Sequence, residues 1–404
     1  MYRAEAYALP ARGVLTGVSQ DTLIRFNRPH TVGTEAAYVA DAIANGHLSG
    51  NGPFAGQCAA WLEQRTGCAK ALLTHSATGA LEMCALLAGL EAGDEVIMPS
   101  FTFVSTANAV ALRGAVPVFV DVRSDTFNLD ETLVEAAITP RTRAVLAVHY
   151  AGVACAMDEL TAICARHGLM LIEDAAQAIL SSYRGRPLGS IGSVAALSFH
   201  ETKNVMCGEG GALLVNDPEL ISRAEIVHEK GTDRSRFFRG QVDKYTWVDV
   251  GSSFLLSDLA CAFLFGQLEH AEAITQARMS IWERYHAAFD QIEQAERARR
   301  PVIPADAQHN AHMYYLVLES LEERQRFIAE LADRQVMAVF HYSSLHLSSA
   351  GERFGRAHGE LPVTESVSER LVRLPLWVDM TEEQVERVVE ATLTALAPTT
   401  VARR

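Results

Sequence analysis

Short apolar runs alternate with amphipathic stretches through the first half of the chain. Residues 69–74, 95–99, 116–122, 144–149 and 169–173 read as strands. Between them, apolar positions recur at helical spacing over 78–90, 104–113, 130–138 and 157–167. This alternation predicts βαβ units and a mainly parallel sheet. A helical pattern over 33–62, interrupted at Gly50, Asn51, Gly52 and Pro53, precedes it. Apolar runs at 194–199 and 212–216 flank a polar, glycine-bearing stretch and predict a hairpin. The amphipathic stretch 257–292 has no internal proline and predicts one extended helix. After the charged, proline-bearing 297–304 come a strand (313–318), a helix (321–334), a strand (336–342) and a helix (382–396). The expected division is a flexible arm over 1–25, a large α/β domain over 26–296, and a smaller α/β domain over 297–404.

Composition narrows the possible functions. The 404 residues are 49% hydrophobic and 21% charged, as in an ordinary globular protein with ample core. With 35 basic against 49 acidic side chains, the net charge of −14 argues against nucleic-acid binding, because it leaves no basic surface to displace phosphate counterions. No apolar run approaches the length of about 18 residues that a membrane span needs, and the first residues lack a continuous apolar core of a signal segment. Cys58, Cys68, Cys84, Cys155, Cys164, Cys207 and Cys261 are scattered and form no C-x-x-C pair. They suit reduced thiols in a cytoplasmic protein, neither a disulfide framework nor a zinc site. The histidines form no H-E-x-x-H or comparable cluster, so no metal is expected.

Three stretches carry chemistry. Lys203 follows an apolar run and precedes Gly208, Gly210 and Gly211; a lysine desolvated there becomes a nucleophile toward carbonyls. Taken alone, a lysine near glycines is more often solvated than catalytic. Asp174 ends the run 169–173, which puts it at the carboxyl edge of the sheet, where open α/β folds bind ligands; alone, it is as well explained as a helix cap. Together the two match the needs of a pyridoxal phosphate enzyme, a lysine to hold the aldehyde and an acid to keep the pyridine nitrogen protonated. Ser76, Ala77 and Thr78 lie between a strand and a helix, where free backbone N–H groups and hydroxyls suit a phosphate, or simply an N-cap. Ser198 offers another hydroxyl at the same edge, and Phe103 is placed to cover an aromatic ring or to join the core. The GEGGA stretch lacks the full dinucleotide fingerprint and reads as a tight turn. His341, Tyr342 and His346, near a strand end, are candidates for contact with a substrate or for structural hydrogen bonds.

The stretches PSFTFVSTANAV, VHYAGVACAMDEL, IEDAAQA and SFHETKNVMCGEGGALLVND resemble the sugar aminotransferases of the DegT/DnrJ/EryC1/StrS family. The resemblance spans about 26–396 and implies the fold-type I pyridoxal-phosphate architecture. FRGQVDKYTWVDVGSSFLLSDL and MAVFHYSSLH resemble in particular members acting on TDP-4-keto-6-deoxy-D-glucose. It further implies that Lys203 forms the Schiff base with pyridoxal 5'-phosphate and shuttles the proton. Asp174 would pair with the pyridine nitrogen and Gln177 would face the phenolic oxygen. Ser76, Ala77, Thr78 and Ser198 would hold the phosphate, and Phe103 would stack on the ring. Pyridoxamine 5'-phosphate would be the form between two half-reactions, with glutamate as amino donor. A homodimer with shared active sites is implied, Lys244 and Tyr245 being candidates for the partner's contribution. The family's G-x-N-x-R pattern, whose Asn reaches the phosphate across the interface, reads Gly251, Ser252, Ser253, Phe254, Leu255 here, which leaves the contribution of Ser253 open. Alternatives are a 3-keto sugar nucleotide as substrate, or a non-catalytic sensor or scaffold on the same fold. Lys203 itself speaks against the family's dehydratase branches, in which His replaces the lysine.

Overall fold

The computed structural model describes residues 23–397. Two helices, α1 (Glu35–Asn45) and α2 (Pro53–Thr66), precede the alternating part, and the turn between them spans the expected Gly50–Pro53 break. Then follow β1 (Lys70–Thr74), α3 (Ala77–Leu87), β2 (Glu95–Pro99), α4 (Val104–Ala111), β3 (Val116–Val120), α5 (Glu131–Ala137), β4 (Thr142–Val148), α6 (Met157–His167) and β5 (Met170–Asp174). The strands are rich in β-branched residues and nearly continuous in apolar character because helices cover both sheet faces.

The central sheet has eight strands. Their order is β1, Gly211–Val215, Val194–Ser198, β5, β4, β2, β3 and the two-residue strand Arg356–Ala357. Gly211–Val215 runs antiparallel to both its neighbours and forms the expected hairpin with Val194–Ser198; the other pairings are parallel. Thr74 and Ser198 both lie opposite Gly211, and Asp174 lies beside Ala196. The ends of β1, β5 and Val194–Ser198 therefore meet at one carboxyl edge.

The stretch expected to be one long helix is divided. Asp258–Leu268 is buried on most sides and packs against α1 and α2. Ala271–Ala288 then continues to a separate core, and Asp290–Gln294 is a short last piece. The break falls at Glu269 and His270 without glycine or proline, and the His270 imidazole hydrogen-bonds the Gly266 carbonyl (3.0 Å). The core also changes over within Ala271–Ala288: Ala271 belongs to the first core, whereas Ile281 and Trp282 pack with Tyr314, Phe327 and Val388. Ile24, from the stretch expected to be an arm, is fully buried in that second core and bridges Val336; residues 1–22 lie outside the described residues.

The second unit holds a three-stranded antiparallel sheet ordered Tyr314–Val317, Leu371–Leu374, Val339–Phe340. Helices Leu321–Asp333 and Glu382–Ala395 match the predicted periodicity. The strand expected over 336–342 is confined to Val339–Phe340, because the chain leaves the sheet at His341 and Tyr342, where φ turns to +34°. Among the described residues no helix is long and apolar enough to cross a membrane.

Candidate active site

A cavity of about 890 Å³ opens at the carboxyl edge of the central sheet, walled on its far side by the small sheet. It brings together Ser76, Ala77, Thr78, Phe103, Asp174, Gln177, Ser198, Lys203, His341 and Tyr342.

One end is built to receive an anion. Ser76 has extended backbone angles and caps α3, its Oγ accepting the Gly79 N–H (3.1 Å). The N–H groups of Ala77 and Thr78 lie in the first helical turn, which has no intrahelical acceptors to offer them. The Thr78 hydroxyl hydrogen-bonds that of Ser105 (2.8 Å). Gly211 permits the close approach of the hairpin, since a Cβ there would lie 2.5 Å from the Ala77 nitrogen. A cradle of N–H groups and hydroxyls is the result, and Ser198, at the end of its strand, lines the same cavity.

The middle of the cavity holds Asp174. Thr106 donates to its Oδ2 (2.8 Å) and the Ala176 N–H to its Oδ1 (3.2 Å). Burial raises the carboxyl above its ordinary range, opposed by these hydrogen bonds and by the charge of Lys203. Gln177 is held at both ends, accepting from the Ala151 N–H (2.7 Å) and donating to the Tyr342 hydroxyl (2.8 Å). Phe103 stands at the start of α4, 56% exposed, 6.3 Å from the Tyr342 ring.

Lys203 occupies the loop between the hairpin strands, its N–H donating to the His200 carbonyl (2.9 Å). The next residue, Asn204, ties this loop to the small unit through the Asn310 carbonyl (2.8 Å) and His312 (3.0 Å). Burial pulls the Lys203 ammonium down to about 8; Asp174 opposes the shift and Arg373 adds to it. An amine so shifted reaches its neutral, nucleophilic form far more readily than a solvated lysine does.

His341 bonds the Tyr150 hydroxyl (2.8 Å) and stacks on Tyr342. His346 is drawn away instead: its ring bridges the Ser100 hydroxyl (2.7 Å) and Glu365 (3.2 Å) and pins the loop after β2. Ser253 is exposed beside Glu229, outside the cavity. Lys244 and Tyr245 are exposed too, with Tyr245 against Phe237. Sequence reasoning missed Thr106, Arg278, His312 and Arg373, all of which face the cavity. Thr106 lies inside the PSFTFVSTANAV stretch and was within reach; the other three sit in segments with no distinguishing spacing.

The DegT/DnrJ/EryC1/StrS aminotransferase family model matches residues 29–393. The chain belongs to this family. Aminotransferase TlmJ from Streptoalloteichus hindustanus superposes with a TM-score of 0.85 at 31% identity, over 93% of this chain and 99% of that one. DesV from S. venezuelae gives 0.82 at 32% identity, over 90% and 94%. Spr1654 from Streptococcus pneumoniae, 27% identical, has a TM-score of 0.85 over 93% of this chain and 98% of that one, and is known in PLP and PMP forms. The DegT/DnrJ/EryC1/StrS enzyme described here is thus a pyridoxal-phosphate-dependent sugar aminotransferase of fold type I. Its residues fit the cofactor, with an anion cradle at α3, a buried acid in the middle and an amine of lowered pKa across from it.

Proposed function

We propose that the enzyme moves an amino group from glutamate to carbon 4 of TDP-4-keto-6-deoxy-D-glucose. The product is a TDP-4-amino-4,6-dideoxyhexose for deoxyamino-sugar biosynthesis. The observation that carries the transfer is that Lys203, whose ammonium is disfavoured by burial, and the buried Asp174 carboxyl line one cavity of about 890 Å³. Support for carbon 4 is the likeness of residues 238–259 and 337–346 to the subgroup acting there.

Pyridoxal phosphate, when bound, supplies an aldehyde that joins amines covalently and a ring that takes up the electron pair left by a departing proton. In this proposal Ser76, Ala77, Thr78 and Ser198 hold its phosphate, Phe103 covers the ring, and Gln177 faces the phenolic oxygen. Asp174 keeps a proton on the ring nitrogen. Lys203 anchors the aldehyde carbon and then, as a free amine, moves the proton to and from the substrate carbon, a contribution of about 10²–10⁴-fold. His341 and Tyr342 contact the sugar nucleotide.

Two copies are proposed to assemble through the segment 237–250, where Phe238 is 70% and Trp247 76% exposed. Ser253, Lys244 and Tyr245, outside the cavity of their own chain, would then serve that of the partner copy. The unpaired cysteines accord with a cytoplasmic location, and the division at 296/297 is retained as a proposal.

Incubation with TDP-4-keto-6-deoxy-D-glucose and glutamate, followed by NMR of the product, tests the reading. The expected product carries nitrogen on carbon 4, with coupling constants giving its configuration. No amination of this substrate, together with turnover of a 3-keto sugar nucleotide, would replace the proposal by its alternative.

A further inference from the structure

The segment just before the strand Tyr314–Val317 is pinned from several sides. The Asn310 Oδ1 accepts the His312 N–H (3.1 Å), and its Nδ2 donates to the Gln177 (2.9 Å) and Ile179 (2.8 Å) carbonyls. Arg278 donates to the Ala311 (3.1 Å) and His312 (2.7 Å) carbonyls. His312 is thereby held in the wall of the cavity, hydrogen-bonded to the loop that carries Lys203. The same bonds fix which ring nitrogen carries the proton. Asn204 donates its amide N–H to the Asn310 carbonyl (2.8 Å), which leaves its Oδ1 facing the His312 Nδ1 (3.0 Å). An amide oxygen only accepts, so Nδ1 carries the hydrogen and Nε2 keeps a lone pair. Among the described residues Nε2 has no hydrogen-bond partner. Burial and the charges of Lys203, Arg278 and Arg373 hold this imidazole well below its ordinary range, so it stays neutral.

We infer that the His312 Nε2 accepts a hydrogen bond from the hydroxyl on carbon 3 of the keto sugar; this rests on the proposed reaction at carbon 4. A committed acceptor in a cavity calls for a donor on the ligand. An ammonium is disfavoured in that role, because Arg278 and Arg373 line the same cavity together with Lys203. A neutral hydroxyl carries no such penalty. The ring is held by Asn204, the residue next to Lys203, so the hydroxyl it selects lies close to the carbon on which the lysine acts. Of the two carbons beside carbon 4, carbon 5 bears only the methyl group and the ring oxygen, neither of which donates. Carbon 3 bears the hydroxyl. A site built around an acceptor rejects a substrate that lacks the matching donor, since its own polar atom is then left unpaired. His312 is therefore a specificity-determining residue, separating 3-hydroxy from 3-deoxy keto sugars.

The half-reaction with the sugar is followed in the cofactor-loaded enzyme, using TDP-4-keto-6-deoxy-D-glucose and its 3-deoxy counterpart. The wild type is expected to favour the hydroxylated sugar in kcat/KM by about tenfold, the worth of one hydrogen bond to a committed acceptor. In His312→Asn the amide nitrogen stands in for Nδ1 and keeps the bond to Asn204, while nothing takes the place of Nε2. The preference should then vanish, through a loss confined to the hydroxylated sugar. His312→Gln, whose amide oxygen can reach the place of Nε2, should restore part of it. An equal loss on both sugars in His312→Asn overturns the inference, because the ring would then only support the Lys203 loop. So does a wild type that handles the two sugars alike, or a loss that falls on the half-reaction with glutamate. A wild type that aminates neither sugar, while glutamate still converts its cofactor to the amine form, would instead remove the carbon-4 reading on which the inference rests.

Discussion

Burial raises the Asp174 carboxyl, while Thr106, the Ala176 N–H and the Lys203 charge favour its ionised form. Such an acid is poised to pair with a cationic ring nitrogen and becomes stable as a carboxylate once that partner is present. Replacing it with the isosteric amide removes the charge and leaves the surroundings in place. Asp174→Asn is expected to retain cofactor through Lys203 and the α3 cradle but to lower kcat by about 10²–10³-fold, as for loss of one electrostatic stabiliser. Single-turnover kinetics at saturating glutamate check this, and a near-normal rate would remove Asp174 from its role. Asp174 and Lys203 were legible in the sequence because each stands just past an apolar run at the sheet edge. Arg373 was not, since a basic residue inside LVRL carries no spacing signal, and only the chain's folding back places it at the cavity.

Among the elements, the βαβ alternation was readable almost to its ends, because buried parallel strands leave unbroken apolar runs. The helix expected over 257–292 was not read correctly. Its first part is apolar all round and its second amphipathic, and the junction at His270 carries no glycine or proline to mark it. Short strands such as Arg356–Ala357 lack enough residues for a period to be seen. One close approach between elements shapes the cradle proposed to hold the phosphate. At Gly211 an added methyl would meet the Ala77 nitrogen and the Ser76 carbonyl carbon, each at 2.5 Å. Because both are backbone atoms, Gly211→Ala must push α3 from the hairpin, an overpacking cost of about 1–3 kcal/mol. Equilibrium titration with pyridoxal phosphate should show affinity weakened at least about tenfold; an unchanged dissociation constant would mean that the cradle lies elsewhere.

For the molecule as a whole, the C-terminal region returns to the first sheet and is fastened there by a buried carboxylate. Glu95, at the start of β2, accepts from Arg141 (2.7 Å), Thr139 (2.7 Å) and Arg356 (2.9 Å). Burial would raise its pKa, yet the hydrogen bonds from Arg356, Arg141 and Thr139 outweigh it and hold the group at about 2 against an ordinary 4.5. The unfolded chain thus binds more protons there than the folded one between these values. The stabilisation is complete above pH 4.5 and disappears as pH falls toward 2. Glu95→Gln should cost about 1–3 kcal/mol at pH 7, a drop of several degrees in Tm. The gap between variant and wild type should narrow steadily in scans below pH 4.5; a gap independent of pH would contradict this account.

In the proposed function, activity turns on covalent attachment of the cofactor at the loop between the hairpin strands. Borohydride reduction of the loaded enzyme, followed by protease digestion and mass mapping, reads it directly. The account predicts one modified peptide carrying a pyridoxyl group on Lys203, absent from Lys203→Ala. Label on another lysine, or none in enzyme that still turns over, would contradict it.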